Sequence, residues 1–412
     1  MLKLNYFLAD IFILSAEKQP IKLSWRKIEW LRVFGVFAQK DITYWNKMAN
    51  GTSEALIKHF WGASFEGYEK RYYFNYGSDL SDMSTNNYWP QAHAMDVLVD
   101  AYMRTGKSYY KELFPLWWEG MPKYNFAGKM NPKDPWWNVF VDDMEWIVLA
   151  QIRMFESTGE KKYIEKARQV YDDWIWPTWG PEDEAPWFGG ITWKTDVAKS
   201  KNACSNGPAA LIAARLYSFY DQAQFSDGKI KNAYLNEAIK IYIWEKNYLF
   251  DRKTGAVYDN INGKGEIQRN WIFTYNIGTF LGAAHELYKI TGDKQYLDDA
   301  VKAANFVVEQ LSQNEGLLPD AVSGDGGLFH GIFFRYFVKL INDHSVDYSD
   351  RKKFHEYITR CATVMATQGI NPNTMLYGGR WRKAPADNEK VGLTPHLTGC
   401  MLMEAMCVLQ PL

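Results

Sequence analysis

What most limits the fold of this chain is a connection it uses three times: a helical stretch ends in Thr-Gly, a short polar turn follows, and an aromatic residue opens the next helical stretch. It occurs as Thr105-Gly106 before Tyr109, Thr158-Gly159 before Tyr163 and Thr291-Gly292 before Tyr296. Glycine supplies the left-handed residue that closes a helix, and so short a turn makes the next helix run antiparallel to the first. Each connection is expected to build an αα-hairpin. Helical periodicity runs nearly end to end and strand-like alternation is scarce, so the chain reads as all-α.

The stretches that follow the turns are amphipathic, as in Tyr163, Ile164, Ala167, Val170 and Tyr171, and suit an outer layer. Those that precede them, such as Gly278 to Leu287, are small and apolar all round and suit an inner layer. Inner helices are expected to start near Trp89, Asp142, Asn206, Asn276, His330 and His396, at intervals of 53, 64, 70, 54 and 66 residues. With a helix between Asp41 and Trp61 as the first outer member, this gives six hairpins. None can bury its inner face alone, so they stack, and closure into a ring makes an (α/α)6 barrel. Residues 41–412 are expected to form this single domain, since no linker rich in Pro, Gly or Ser divides them. Residues 1–40 are read as an extension whose first sixteen residues resemble a signal peptide poorly, because Asp10 interrupts the apolar run.

Charge and cysteine content narrow the function. Lys+Arg 47 against Asp+Glu 48 leaves no positive field for nucleic acid or anionic lipid, and no apolar run reaches the length of a transmembrane span. Cys204, Cys361, Cys400 and Cys407 lack metal-ligand or disulfide-framework spacing, so free thiols and no metal are expected. Trp 18 within 16% aromatic residues exceeds what a core needs, and points to platforms that stack on sugar rings.

In a ring of hairpins the inner helices all point one way, so their starts meet at one mouth. There lie Asn87 to His93, Trp136-Trp137-Asn138 to Asp142-Asp143, Lys201 to Asn206, Thr274-Tyr275-Asn276 and Gly324 to His330. Amides and carboxylates can reach sugar hydroxyls while Trp and Tyr cover ring faces. Cleaving a glycosidic bond with retention needs a carboxylate and a carboxylic acid roughly 5 to 5.5 Å apart across the anomeric carbon, a span that Asp142 and Asp143 at a helix start can reach. The helix dipole would favour an anion on one, and repulsion with aromatic desolvation would keep a proton on the other. The same residues fit a structural role: Asp142 with Glu145 is a capping-box-like start. Asp172-Asp173 and Asp298-Asp299, inside outer helices, read as solvated faces. His93, His285 and His330 fit either a core or a ligand contact, Trp136 and Trp137 either a subsite or a wedge, and Gly324 to Gly327 a tight turn.

Taken in order, Tyr88-Trp89-Pro90-Gln91-Ala92-His93, Val141 to Trp146, Gly189 to Trp193, Lys201 to Pro208, Tyr275 to Thr279 and Gly324 to Phe333 resemble the motifs of the endo-α-1,6-mannanases of glycoside hydrolase family 76. The resemblance runs from about Asp41 to the C-terminus. It implies an (α/α)6 fold, hydrolysis of the α-1,6-linked mannose backbone of microbial mannan with retention, and no cofactor. By the same resemblance Asp142 would be the nucleophile and Asp143 the general acid/base. Tyr88, Trp89, Asn138, Trp193, Asn202, Asn206, Tyr275, Asn276 and Asp325 would bind sugar. The chain departs from the family pattern at His330, where Lys is common, and at Ile277, where Gln is. The pattern is nearest to Bacteroidetes-type members, which implies a periplasmic, cell-surface or secreted protein, and a monomer is expected. Transglycosylation on the same site and a non-catalytic glycan-binding toroid are the alternatives. An epimerase or lyase fits poorly, with seven histidines and no basic cluster at the inner starts.

Overall fold

The three Thr-Gly connections are built alike in the protein, whose structure is a computed structural model describing residues 41–65, 68–77, 88–125, 134–184, 188–196, 200–225, 227–313 and 315–412. Gly106, Gly159 and Gly292 take φ of 66°, 71° and 72°. Their N–H groups return to the carbonyls of Tyr102, Phe155 and Tyr288 at 2.8, 2.7 and 2.8 Å. The preceding threonine bridges the helix end. The hydroxyls of Thr105, Thr158 and Thr291 donate to the carbonyls of Ala101, Met154 and Leu287, and accept the N–H groups of Lys107, Glu160 and Asp293. A fourth hairpin turns without glycine, on Gln224 at φ 52°.

Six inner helices result: α2 (Tyr88–Thr105), α5 (Val141–Thr158), α7 (Ala203–Ala223), α9 (Thr274–Thr291), α11 (Gly326–Ile341) and α13 (Leu393–Val408). All six expected starts fall at or within the first turns of these helices. Around them lie α1 (Ile42–Phe60), the pair α3 (Ser108–Lys111) and α4 (Leu113–Tyr124), α6 (Lys161–Val170), α8 (Lys231–Tyr248), α10 (Lys294–Phe306) and α12 (Tyr348–Val364). Each inner helix packs on the next, and α13 packs on both α2 and α1, which closes the ring. The fold is the expected (α/α)6 barrel. Segment 1–40 lies outside the described residues.

Close packing of the inner ring rests on glycine. A Cβ on Gly278 of α9 would stand 2.7 Å from the Cα of Phe333 on α11, and one on Gly331 of α11 would stand 2.9 Å from the Cα of Thr398 on α13. Outer helices α6, α10 and α12 each end in a five-residue π-turn, Tyr171–Ile175, Val307–Leu311 and Met365–Gly369, before the long loops that lead back to the mouth. Two acids read as solvated are not so. Asp172 accepts from the Tyr234 hydroxyl at 2.8 Å and pairs with Arg168 and Lys229, and Asp299 accepts from the Tyr242 hydroxyl at 2.7 Å and pairs with Lys246. Their neighbours Asp173 and Asp298 are exposed.

The mouth loops, which carry no strand period, nevertheless pair as they enter the inner helices. Strand β1 (Trp61–Phe65) pairs with β2 (Tyr68–Tyr73), and β3 (Tyr76–Gly77) pairs with β6 (Val391–Gly392), the strand that leads into α13. Strand β4 (Lys201–Asn202) pairs with β5 (Asn260–Ile261). Single bridges join Phe140 to Lys194 and Tyr258 to Ile272.

Candidate active site

The start of α5 is set by that lattice. Val141 donates its N–H to the Trp193 carbonyl at 2.9 Å, and Thr195 donates to the Val139 carbonyl at 2.9 Å. Phe140 is the N-cap and offers no side-chain cap, so Asp142 and Asp143 lie inside the first turn. The capping-box reading fails: the Glu145 carboxyl is fully buried and, among the described residues, neither of its oxygens reaches a partner.

Both aspartates open on a cleft of about 650 Å³. Of the expected residues, Tyr88, Trp89, Trp193, Asn202, Tyr275 and Asp325 line it with them. Aromatic rings form its wall. Tyr275 and Phe329 stack at 4.0 Å with 10° between planes, Phe273 meets Phe329 at 5.3 Å, and Phe140 meets Trp193 at 5.2 Å. The Trp89 indole donates to Asp325 at 3.1 Å, which orients both side chains.

Burial raises the pKa of both acids, but their surroundings differ. Facing Asp142 are the Cys204 thiol and the N–H groups of Asp142 and Asp143, which oppose the rise. Asp143 has no such support: burial lifts it well above the usual carboxylate range, and the negative charges of Asp142 and Asp325 lift it further. Asp142 therefore ionises first and Asp143 keeps its proton. Behind them Glu145 is also raised, by burial, then by Asp142 and by the equally buried Glu245 of α8.

Three expected sugar ligands sit in or behind the wall. Asn206 is fully buried; its amide accepts the Ile191 N–H at 2.8 Å and donates to the carbonyls of Ile191 at 3.1 Å and Asn202 at 2.8 Å. Asn276 is fully buried and donates to Asp259 at 3.0 Å. Asn138 accepts the Phe140 N–H and donates to Asn125, forming the turn into α5. These asparagines position the site and do not line it. His93 lies buried off the cleft with a lowered pKa, and His396 is a satisfied core histidine. His285 pairs with Asp343 away from the mouth, at the far end of α9. His330 accepts from the Thr274 hydroxyl through Nδ1 and donates to the Pro319 carbonyl through Nε2. Trp136 wedges against Trp118.

Sequence reasoning missed Asp259 and Asn260, which line the cleft on β5 and the residue before it. Asp259 accepts from the amides of Asn260 and Asn276 at 2.8 and 3.0 Å and from Asn202 at 3.4 Å. It missed Trp271, Phe273 and Ser200 as well. Only Trp146, four residues after Asp142 on the same helix face, carried a readable signal. Among the described residues no group of three or more His, Cys, Asp or Glu side chains could hold a metal ion, and no helix is long and apolar enough to cross a membrane.

The sequence model of Glycosyl hydrolase family 76 matches residues 44–411. The chain belongs to that family. Among solved structures it is similar to the GH76A alpha-1,6-mannanase from Salegentibacter sp. HEL1_6, with 35% identity over 89% of this chain and 100% of that one and a TM-score of 0.77. An inactive variant of that enzyme, with two consecutive aspartates replaced by alanine, has been solved in complex with alpha-1,6-mannotetrose; it matches at 34% identity over 89% of this chain and 99% of that one, with a TM-score of 0.76. The Lin0763 protein from Listeria innocua matches at 29% identity over 88% of this chain and 96% of that one, with a TM-score of 0.73. A curated relative from Schizosaccharomyces pombe, named "Putative mannan endo-1,6-alpha-mannosidase", is 26% identical over 219 residues, 50% of this chain and 46% of its own length. As a member of this family the chain is a glycoside hydrolase.

Proposed function

We propose that the chain is an endo-acting, retaining α-1,6-mannanase in which Asp142 is the nucleophile and Asp143 the general acid/base. The observation that carries the reading is two consecutive half-buried acids at one aromatic cleft, of which Asp142 has hydrogen-bond donors that favour its anion and Asp143 has none and keeps its proton. The Asp142 carboxylate attacks C1 of a mannosyl unit while Asp143 gives its proton to the departing O6 of the next unit, leaving a mannosyl ester on Asp142. Water then gives a proton to Asp143 as its oxygen attacks C1 from the opposite face, and Asp142 leaves as the carboxylate. The net α-configuration is kept. The loss of two consecutive aspartates in the inactive Salegentibacter variant supports the same pair.

Trp89, Trp193 and Tyr275 cover pyranose faces in this reading, while Asn202, Asp259 and Asp325 take hydroxyls. The Tyr88 hydroxyl, which has no hydrogen-bond partner among the described residues, lies within the field of Asp143. A polymer of this kind is met outside the cytosol, so the enzyme acts in the periplasm, at the cell surface or as a secreted protein. The test is the product ladder from linear α-1,6-mannan. The wild type should release a series of oligosaccharides, and Asp142→Asn and Asp143→Asn should each lose at least about 10³-fold in kcat with melting temperatures unchanged. Near-wild-type turnover in either variant removes the assignment. Binding without release of reducing ends favours the glycan-binding alternative, and longer products at high acceptor concentration favour transglycosylation.

A further inference from the structure

The rim of the cleft carries a tryptophan that the fold does not use. Trp271 is 54% exposed, the one tryptophan among the described residues left so open, and it lines the cleft. It does not pack on the hydrophobic core, and among the described residues its indole meets no ring, cation or hydrogen-bond partner. Its backbone, by contrast, is held at both polar atoms: the N–H donates to the Gln268 carbonyl at 3.1 Å, and the carbonyl accepts the Asp259 N–H at 2.9 Å. A large apolar side chain on a fixed main chain, exposed beside polar cleft residues, is the arrangement of a binding platform.

Its neighbours give the platform a direction. Ile272 bridges to Tyr258 and Phe273 is extended, at φ −122° and ψ 141°. Side chains two apart on an extended segment share a face, so Trp271 and Phe273 face the cleft together, about 7 Å apart along the chain. Phe273 joins the Tyr275–Phe329 stack. Tyr275 lies within the field of Asp142, whereas Trp271 is the exposed member of the row, so Trp271 continues the aromatic wall towards the solvent rim.

We propose that Trp271 is the platform of a distal subsite, stacking on a mannosyl unit of α-1,6-mannan beyond those that touch the two acids, and that it sets the enzyme's preference for long over short chains. The inference rests on the mannan reading of the cleft. The experiment is calorimetric titration of the full chain, in an Asp142→Asn background that removes turnover, with α-1,6-mannobiose and α-1,6-mannohexaose. Trp271→Ala should weaken the hexasaccharide about tenfold, the scale of stacking area lost, and leave the disaccharide within twofold. Trp271→Phe should recover most of the loss. Melting temperature should not move, because the indole supports no core. Equal hexasaccharide affinity in Trp271→Ala, equal losses for both ligands, or no binding of the hexasaccharide at all would overturn the inference. A wild type that binds the hexasaccharide but does not cleave it would overturn the proposed activity and leave the Trp271 result standing.

Discussion

Replacing Asn206 by alanine separates a structural residue from a sugar ligand. Its amide accepts one backbone N–H and donates to two backbone carbonyls, all within 3.1 Å and without contact with solvent. Truncation strands the Ile191 N–H in a buried place and costs each carbonyl a donor, a loss of about 3 kcal/mol in sum. For a fold of about 370 residues the entropy of unfolding near the melting temperature is roughly 0.8 kcal/mol per kelvin, so the melting temperature should fall by about 4 °C. Asn206→Asp keeps the acceptor but sets an anion against two carbonyl oxygens, and should lose at least as much. The assay is thermal denaturation followed by circular dichroism, beside KM for α-1,6-mannan. A melting temperature within 1 °C of wild type, together with a rise in KM, would refute the clamp and restore Asn206 as a ligand.

Two further outcomes follow from the same geometry. Asp325→Asn removes a negative charge that raises the pKa of both Asp142 and Asp143, the proposed nucleophile and acid. Activity rises as Asp142 loses its proton and falls as Asp143 loses its own, so both limbs of the pH profile of kcat/KM should move to lower pH; a shift of either limb upward would contradict the electrostatic account. At the hinges, a Cβ on Gly106, Gly159 or Gly292 meets nothing within 4 Å, so each Gly→Ala change costs only the left-handed backbone, about 1 kcal/mol. In denaturant titrations the triple variant should lose about 3 kcal/mol, the three sites lying in different hairpins, and a markedly larger loss would mean that the hinges do more than turn the chain.

Much of the layout was legible because helices announce themselves twice, by period and by their ends. The Thr-Gly hinges fixed the hairpins, and the common direction of the inner helices gathered Trp89, Asp142, Tyr275 and Asp325 from four separate helix starts into one cleft. What could not be read is the purpose of each amide. The same donor and acceptor pair that serves a sugar hydroxyl also serves a backbone clamp, so Asn202 at the surface and Asn206 one turn below it look alike in sequence. Asp259 and Trp271 were hidden for another reason. Asp259 stands beside a two-residue ladder and Trp271 beside a single bridge, both too short to show a period of two, and only pairing with a strand some 57 residues earlier brings Asp259 to Asn202.

The capping box shows how much chemistry hangs on register. Had Asp142 been the N-cap, its carboxylate would have been tied to the N–H groups of the first turn as a structural stop, with Glu145 reaching back to complete the box. The bridge from Phe140 to Lys194 and the bond from Val141 to Trp193 start the helix two residues earlier, on a phenylalanine that has no acceptor to offer. The N–H groups at the helix end are then left to the acid inside the turn. Those of Asp142 and Asp143 face the Asp142 carboxylate and favour its anion, while Asp143 gains nothing from them. A difference of two residues in where a helix begins therefore gives two identical neighbours different surroundings, the split that the proposed roles of Asp142 as nucleophile and Asp143 as acid require.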